Sequence, residues 1–215
     1  MKTLGVSKMG MNGCKYYEGL LNNIVNTKEI FKVESVNFDK SYDFIIFDGG
    51  SDVTPKLYGE EKHKETSNNE LRDQYEQNIF NKYFKTATKF IGICRGSQFL
   101  NVMFGGTLYQ HLDDYNLQHP SFHTIKVLEN IEVINDVEKS LRTILPEYTM
   151  VNSTHHQAVK NLGKGLFITA HDAHNFIVES YASFDDKVRA TQFHPEFYND
   201  FPYTIPILKW LFRDL

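Results

Sequence analysis

Lys89-Phe90-Ile91-Gly92-Ile93-Cys94-Arg95-Gly96-Ser97-Gln98-Phe99-Leu100 reads as a short buried strand, a tight turn and the first turn of a helix. A glycine lies two positions to either side of the cysteine, as required where a Cβ would strike the neighbouring strand and helix. Such a bend thrusts one side chain out of the backbone. The thiol of Cys94 then lies at a helix N-terminus, whose dipole and free N–H groups favour a thiolate and an oxyanion. A lone cysteine is ordinarily a small buried hydrophobe; its place in this turn makes Cys94 a candidate nucleophile.

The matching base lies a hundred positions later, in Arg189-Ala190-Thr191-Gln192-Phe193-His194-Pro195-Glu196. In extended chain alternate side chains share a face, so His194 and Glu196 point the same way and Pro195 stiffens the link. A carboxylate beside an imidazole fixes its tautomer and stabilises the imidazolium. Cys94, His194 and Glu196 thus supply a nucleophile, a general base and an orienter, brought together only by the fold.

Outward from the bend, strand-like and helical runs alternate. Strands are expected over 2–6, 31–36, 44–47 and 90–93. Helices are expected over 16–25, 70–84 and 98–104, the last stopped by Gly105-Gly106. Leu71, Tyr75, Ile79 and Tyr83 recur every four residues, with Asn68 or Asn69 as the cap. This alternation predicts a parallel sheet with helices on both faces, and ligands at the carboxyl ends of its strands. The second half reads as short strands in series, over 107–109, 123–127, 131–134, 166–170, 176–181 and 188–193. It forms an antiparallel extension, closed by a helix over 202–212. The polar stretch 59–69 is a loop, either a lid or a solvated connection.

The set of motifs resembles the class I glutamine amidotransferase fold, and within it the gamma-glutamyl hydrolase-like branch that includes the gamma-glutamyl-gamma-aminobutyrate hydrolases. The resemblance rests first on Gly92-x-Cys94-x-Gly96-x-Gln98 and His194-Pro195-Glu196. Asp48-Gly49-Gly50-Ser51-Asp52-Val53-Thr54-Pro55-Lys56-Leu57-Tyr58-Gly59, Arg72-Asp73-Gln74-Tyr75-Glu76, Gly105-Gly106-Thr107-Leu108-Tyr109-Gln110 and Val151-Asn152-Ser153-x-His155-His156-Gln157-Ala158-Val159 extend it. It implies a three-layer α/β/α, flavodoxin-like architecture: a mainly parallel central sheet with an antiparallel extension, in one domain over 1–215.

It also implies roles. Cys94 attacks the delta carbonyl of a gamma-glutamyl amide, His194 relays the proton and Glu196 orients His194. The N–H groups of Arg95 and Gly50 form the oxyanion hole. Gly49, Gln98, His156 and Tyr58 meet the substrate. The reaction passes through a glutamyl thioester and releases glutamate and an amine. The alternative is a glutaminase that delivers ammonia to a synthetase partner. A binding domain without activity and a cysteine peptidase are further classes, disfavoured by the intact Cys94-His194-Glu196 set and by the form of the bend.

The net charge of −4 leaves no basic field for nucleic acid. The 215 residues suffice for one sizeable core. Two cysteines make no disulfide framework, and a reducing cytoplasm suits the thiol. The apolar run after Met1 is too short for a signal peptide and no run approaches a membrane span. No cofactor or metal is expected: His155 and His156 are adjacent in extended chain and face opposite sides. The expected partner is a small gamma-glutamyl substrate, and a homodimer is open. His111, His119, His123, His171 and His174 have no context to distinguish them from surface residues. Arg72, Asp73 and Glu76 suit an internal ion-pair network.

Overall fold

Phe44–Phe47 (β3) and Lys89–Ile93 (β4) are almost wholly apolar because both of their faces are covered, as in the middle of a parallel sheet. The computed structural model describes residues 2–7, 11–24, 31–117, 120–129, 140–197 and 202–212. Lys2–Val6 (β1) lies beside β3 and carries Phe31–Ser35 (β2) on its other edge, all parallel. Val188–Thr191 (β11) runs parallel to β4 on the far side. From β11 the sheet turns antiparallel through Val178–Ser183 (β10), Leu166–Asp172 (β9), Phe122–Val127 (β6) and Tyr148–Asn152 (β7). The order among the described residues is β2-β1-β3-β4-β11-β10-β9-β6-β7, and Thr107–Tyr109 (β5) pairs separately with Ala158–Asn161 (β8).

Strand alternation divides the core between the two faces. Leu4, Val6, Phe44, Ile46, Ile91 and Ile93 meet Tyr17, Leu20 and Leu21 of the helix Met11–Ile24 (α1) and Ile207, Leu208 and Leu211 of the closing helix Thr204–Leu211. Ile45, Phe47, Phe90, Val188 and Ala190 meet Ile79, Phe80 and Tyr83 of Glu70–Tyr83 (α2) and Phe99, Leu100 and Val102 of Arg95–Met103 (α3). Part of the phenylalanine content is used here: Phe47 packs on Phe90 and Phe99 at ring separations of 5.7 and 5.2 Å. The three layers and the mixed sheet are those anticipated.

Several expectations need correction. α1 begins at Met11 rather than Tyr16, and α3 begins at Arg95, directly on the bend, rather than at Gln98. β10 begins at Val178 rather than Phe176, which takes a left-handed turn conformation, φ 62°, and it continues to Ser183. β7 and β8 were not foreseen; β8 is half exposed, and Tyr148 and Met150 of β7 face outward. The expected strand 131–134 lies outside the described residues. Asn69 is the cap of α2, its side chain accepting from Arg72 N–H at 3.1 Å. Leu71 does not belong to the buried stripe and is 80% exposed; Asp73 and Glu76 face inward instead. The stretch 59–69 is fastened down: the N–H of His63 and the hydroxyl of Thr66 both donate to Gln110 Oε1 at 2.9 Å, and Ser67 N–H donates to Asp52 Oδ2 at 2.7 Å.

Candidate active site

Three neighbouring parallel strands end together: β3 into Asp48-Gly49-Gly50, β4 into Cys94, and β11 into Gln192-Phe193-His194. The carboxyl edge of the sheet therefore assembles the site. Cys94 has φ 51° and ψ −111°, the strained conformation that turns a strand straight into a helix. Its N–H still donates to Thr191 O at 2.8 Å, so the bend stays anchored to the sheet. The flanking glycines are required by contact. A Cβ on Gly96 would lie 1.8 Å from Phe47 O, and one on Gly92 2.9 Å from Gly96 O.

His194 Nδ1 meets Glu196 Oε1 at 2.6 Å, and both groups are largely buried. Burial weighs against the imidazolium, but the hydrogen bonds and charges of Cys94 and Glu196 outweigh it and push the His194 pKa up to about 10. Asn152 grips the histidine backbone from both sides: its Nδ2 donates to His194 O at 2.9 Å and its Oδ1 accepts from His194 N–H at 2.8 Å. Gln192 Nε2 approaches Cys94 Sγ at 3.7 Å. Gln98 donates through Nε2 to Gln192 Oε1 at 3.1 Å and to Gln157 O at 2.9 Å. Both Gln98 amide hydrogens are thereby used inside the protein, leaving its Oε1 for other contacts.

The glycine loop lies against this group. A Cβ on Gly49 would sit 2.9 Å from His194 Cε1 and 3.8 Å from Cys94 Cβ, so only glycine allows the approach. The Gly49 N–H is taken by Asp48 Oδ1 at 2.8 Å. Among the described residues, the N–H groups of Gly50 and Arg95 donate to no acceptor. Tyr17 OH donates to Asp48 Oδ1 at 2.7 Å and Tyr16 OH to Glu196 O at 2.5 Å, so α1 fastens both the loop and the end of the β11 segment.

The structure brings Cys94, His194, Glu196, Gly49, Gly50, Arg95 and Gln98 into one connected group. Among the described residues, His156 makes no hydrogen bond to this group. It is half-buried, with Nε2 3.2 Å from Asp52 Oδ1 and Nδ1 3.3 Å from His111 Nδ1. Tyr58 ends a single helical turn over Pro55–Tyr58; its hydroxyl is buried and has no hydrogen-bond partner among the described residues. His155 turns inward from the loop between β7 and β8, which bends at His156 rather than running extended, with Nδ1 2.8 Å from Gln157 O. His123 corrects the surface reading: it is buried, 3.4 Å from Glu179 Oε1. Among the described residues no group of three or more His, Cys, Asp or Glu side chains is arranged to hold a metal. No helix among them is long and apolar enough to cross a membrane.

Sequence reasoning assigned no role to Tyr16, Tyr17, Asn152 or Gln192. Only Gln192 left a usable signal, two positions before His194 in the segment expected to be extended; the strand itself ends at Thr191, and a bend and turn over 192–196 carry His194 and Glu196.

Known proteins resemble this chain along most of its length. The family model described as Peptidase C26 matches residues 30–196. A glutamine amidotransferase-like protein of Lactococcus lactis is 36% identical over 180 residues, 82% of this chain and 75% of its own. One of Rickettsia prowazekii is 34% identical, across 80% of this chain and 76% of its own. The solved structure of a GMP synthase subunit from Thermoplasma acidophilum superposes with a TM-score of 0.67, covering 98% of this chain and 92% of that one. At 17% identity that likeness concerns the fold alone.

Proposed function

The chain belongs to the Peptidase C26 family, among the glutamine amidotransferase-like enzymes that act on C–N bonds, and from that premise we propose that it hydrolyses a gamma-glutamyl amide to glutamate and an amine. The observation that carries this reading is the convergence of the Cys94 bend, the His194–Glu196 pair and two undirected N–H groups at the carboxyl edge of the sheet.

The Cys94 thiolate attacks the delta carbonyl carbon, forming a C–S bond, and the carbonyl electron pair moves to oxygen. The N–H groups of Gly50 and Arg95 stabilise that oxyanion; one such donor is worth about 3–4 kcal/mol. As the carbonyl re-forms, the C–N bond breaks and the His194 imidazolium gives its proton to the leaving amine. Water then attacks the thioester while neutral His194 takes its proton. The C–S bond breaks, glutamate leaves, and the thiolate–imidazolium pair returns. Glu196 holds the ring and balances its charge throughout.

The relatives described as glutamine amidotransferase-like favour one second reading: glutamine as substrate, with ammonia passed to a synthetase. A panel of gamma-glutamyl amides with free glutamine as the control separates the two. Preferential turnover of substituted amides by the isolated protein supports the hydrolase. Turnover of glutamine alone, rising with a synthetase, supports the alternative. Mass spectrometry should trap a glutamyl adduct on Cys94. Cys94→Ala should abolish turnover with an unchanged unfolding midpoint, and wild-type activity in that variant would refute the mechanism.

A further inference from the structure

Arg72 projects from the first turn of α2 against the glycine loop, and its guanidinium binds two successive carbonyls. Nη2 donates to Asp48 O at 2.7 Å and Nη1 to Gly49 O at 3.0 Å. A trans peptide points its C=O and N–H in opposite directions. Fixing Gly49 O on the arginine therefore fixes the Gly50 N–H on the opposite edge of the same peptide. The neighbouring peptide is held in the same sense, and its Gly49 N–H is consumed by Asp48 Oδ1 at 2.8 Å. Of the two glycine N–H groups in the loop, only that of Gly50 is left undirected among the described residues. Gly50 has φ 147°, and a Cβ there would lie 2.2 Å from Arg72 Nη1, so the guanidinium occupies the space that the glycine leaves.

We propose that Arg72 is a positioning residue that aims the Gly50 N–H at the developing oxyanion; this rests on the hydrolase reading above. The second donor is held by the same cluster. Arg72 Nε donates to Glu76 Oε1 at 3.0 Å, and Glu76 Oε2 and Asp73 Oδ1 receive the guanidinium of Arg95, the residue whose N–H completes the hole. Arg95 Nε reaches Ser51 O at 3.2 Å, tying the loop to the bend from the other side. Two arginines and two carboxylates of α2 and α3 therefore set both donors from behind, without touching substrate. A lysine at position 72 would keep the charge beside Glu76 but could not hold two carbonyls in fixed planar geometry.

The test compares wild type, Arg72→Lys and Arg72→Gln. On the amide that wild type turns over best, kcat should fall about 100-fold or more in both variants, the scale of losing one oxyanion donor, with KM changed less than about threefold. Alkylation of Cys94 by iodoacetamide displaces iodide from saturated carbon and develops no oxyanion, so its rate should stay within about twofold of wild type. A gamma-glutamyl aldehyde adds the thiolate to its carbonyl carbon, and the electron pair on oxygen takes up a proton, with no leaving group. Its affinity should fall in parallel with kcat. Equal losses in alkylation and turnover, or wild-type kcat in Arg72→Lys, would overturn the proposal. A crystal structure of Arg72→Lys gives a readout independent of any substrate: the 49–50 peptide should rotate, and an unmoved peptide would overturn the proposal. Wild type inactive on every gamma-glutamyl compound would instead remove the hydrolase reading, leaving the peptide orientation to be judged by that structure.

Discussion

At the scale of single residues, the charge state of His194 governs the expected chemistry. Its pKa of about 10 lies above the ordinary histidine value of 6.5, so the ring keeps its proton through neutral pH and loses it as the pH rises through about 10. The matching contribution to stability is present in full below pH 6.5 and disappears across the same interval. In the proposed mechanism the imidazolium protonates the leaving amine, so kcat/KM should hold until an alkaline limb near pH 10. Glu196→Gln keeps an acceptor for Nδ1 and removes the charge. It also places an amide where Glu196 Oε2 is buried without a hydrogen-bond partner among the described residues. The variant should fold, lose less activity than Cys94→Ala, and show its alkaline limb at lower pH. Profiles of kcat/KM against pH would check this, and an unshifted limb would contradict it. Cys94, His194 and Glu196 were legible because each carries its context within a few neighbouring residues. Tyr16, Tyr17 and Asn152 were not, because their hydroxyls and amide acquire meaning only from partners 31 to 180 positions away, such as Tyr17 with Asp48 (31) and Tyr16 with Glu196 (180).

At the scale of elements, the strand–bend–helix unit depends on a close approach that only glycine permits. The Cβ of Gly96→Ala would meet Phe47 O at 1.8 Å and Phe47 C at 2.4 Å. Those atoms belong to β3, which is paired on one side with β1 and on the other with β4 and cannot withdraw. Overpacking usually costs about 1–3 kcal/mol, and against backbone the upper end or more is expected. Gly19 of α1 is the contrast: a Cβ there meets nothing within 4 Å, so Gly19→Ala should stabilise by about 0.5–1 kcal/mol through helix entropy. Urea unfolding of the two variants should move in opposite directions; equal shifts would mean that contact at the bend does not decide its stability. These elements were legible from glycine placement and apolar runs. α2 was legible as a helix, with Tyr75, Ile79 and Tyr83 toward the core and Asp73 and Glu76 in an internal ion-pair network; Leu71 alone was misplaced. Leu71 fits a four-residue apolar period, yet the inward face holds Asp73 and Glu76 because Arg95, from another element, neutralises them there.

At the scale of the whole molecule, the sheet joins a parallel half that carries Cys94 to an antiparallel half with its own buried charges. Glu179 of β10 faces His123 of β6 at 3.4 Å and His155 at 3.9 Å, while Asp172 of β9 lies 3.8 Å from His123. Burial pushes the Glu179 pKa up to about 7; His123 opposes that rise and Asp172 adds to it. Hydrophobic periodicity could not reveal this cluster, since β6 joins the β9–β10 hairpin only through long-range pairing and the sequence around His123 has no motif. The shift has a definite sign. A carboxyl whose folded pKa lies above its unfolded value of about 4.5 favours the folded state at low pH, and that advantage is lost as the pH rises through about 7. Each pH unit of such a difference is worth about 1.4 kcal/mol, large against a total stability of about 5–15 kcal/mol. Glu179→Gln removes the titration while keeping shape and hydrogen-bonding capacity. The wild-type unfolding midpoint minus that of the variant should therefore decline between about pH 5 and 8, because only wild type must ionise a buried acid in that interval. Paired thermal scans at several pH values measure it directly. Parallel curves across that range would mean that Glu179 keeps one protonation state throughout, and that its burial beside His123 does not set the pH dependence of the antiparallel half.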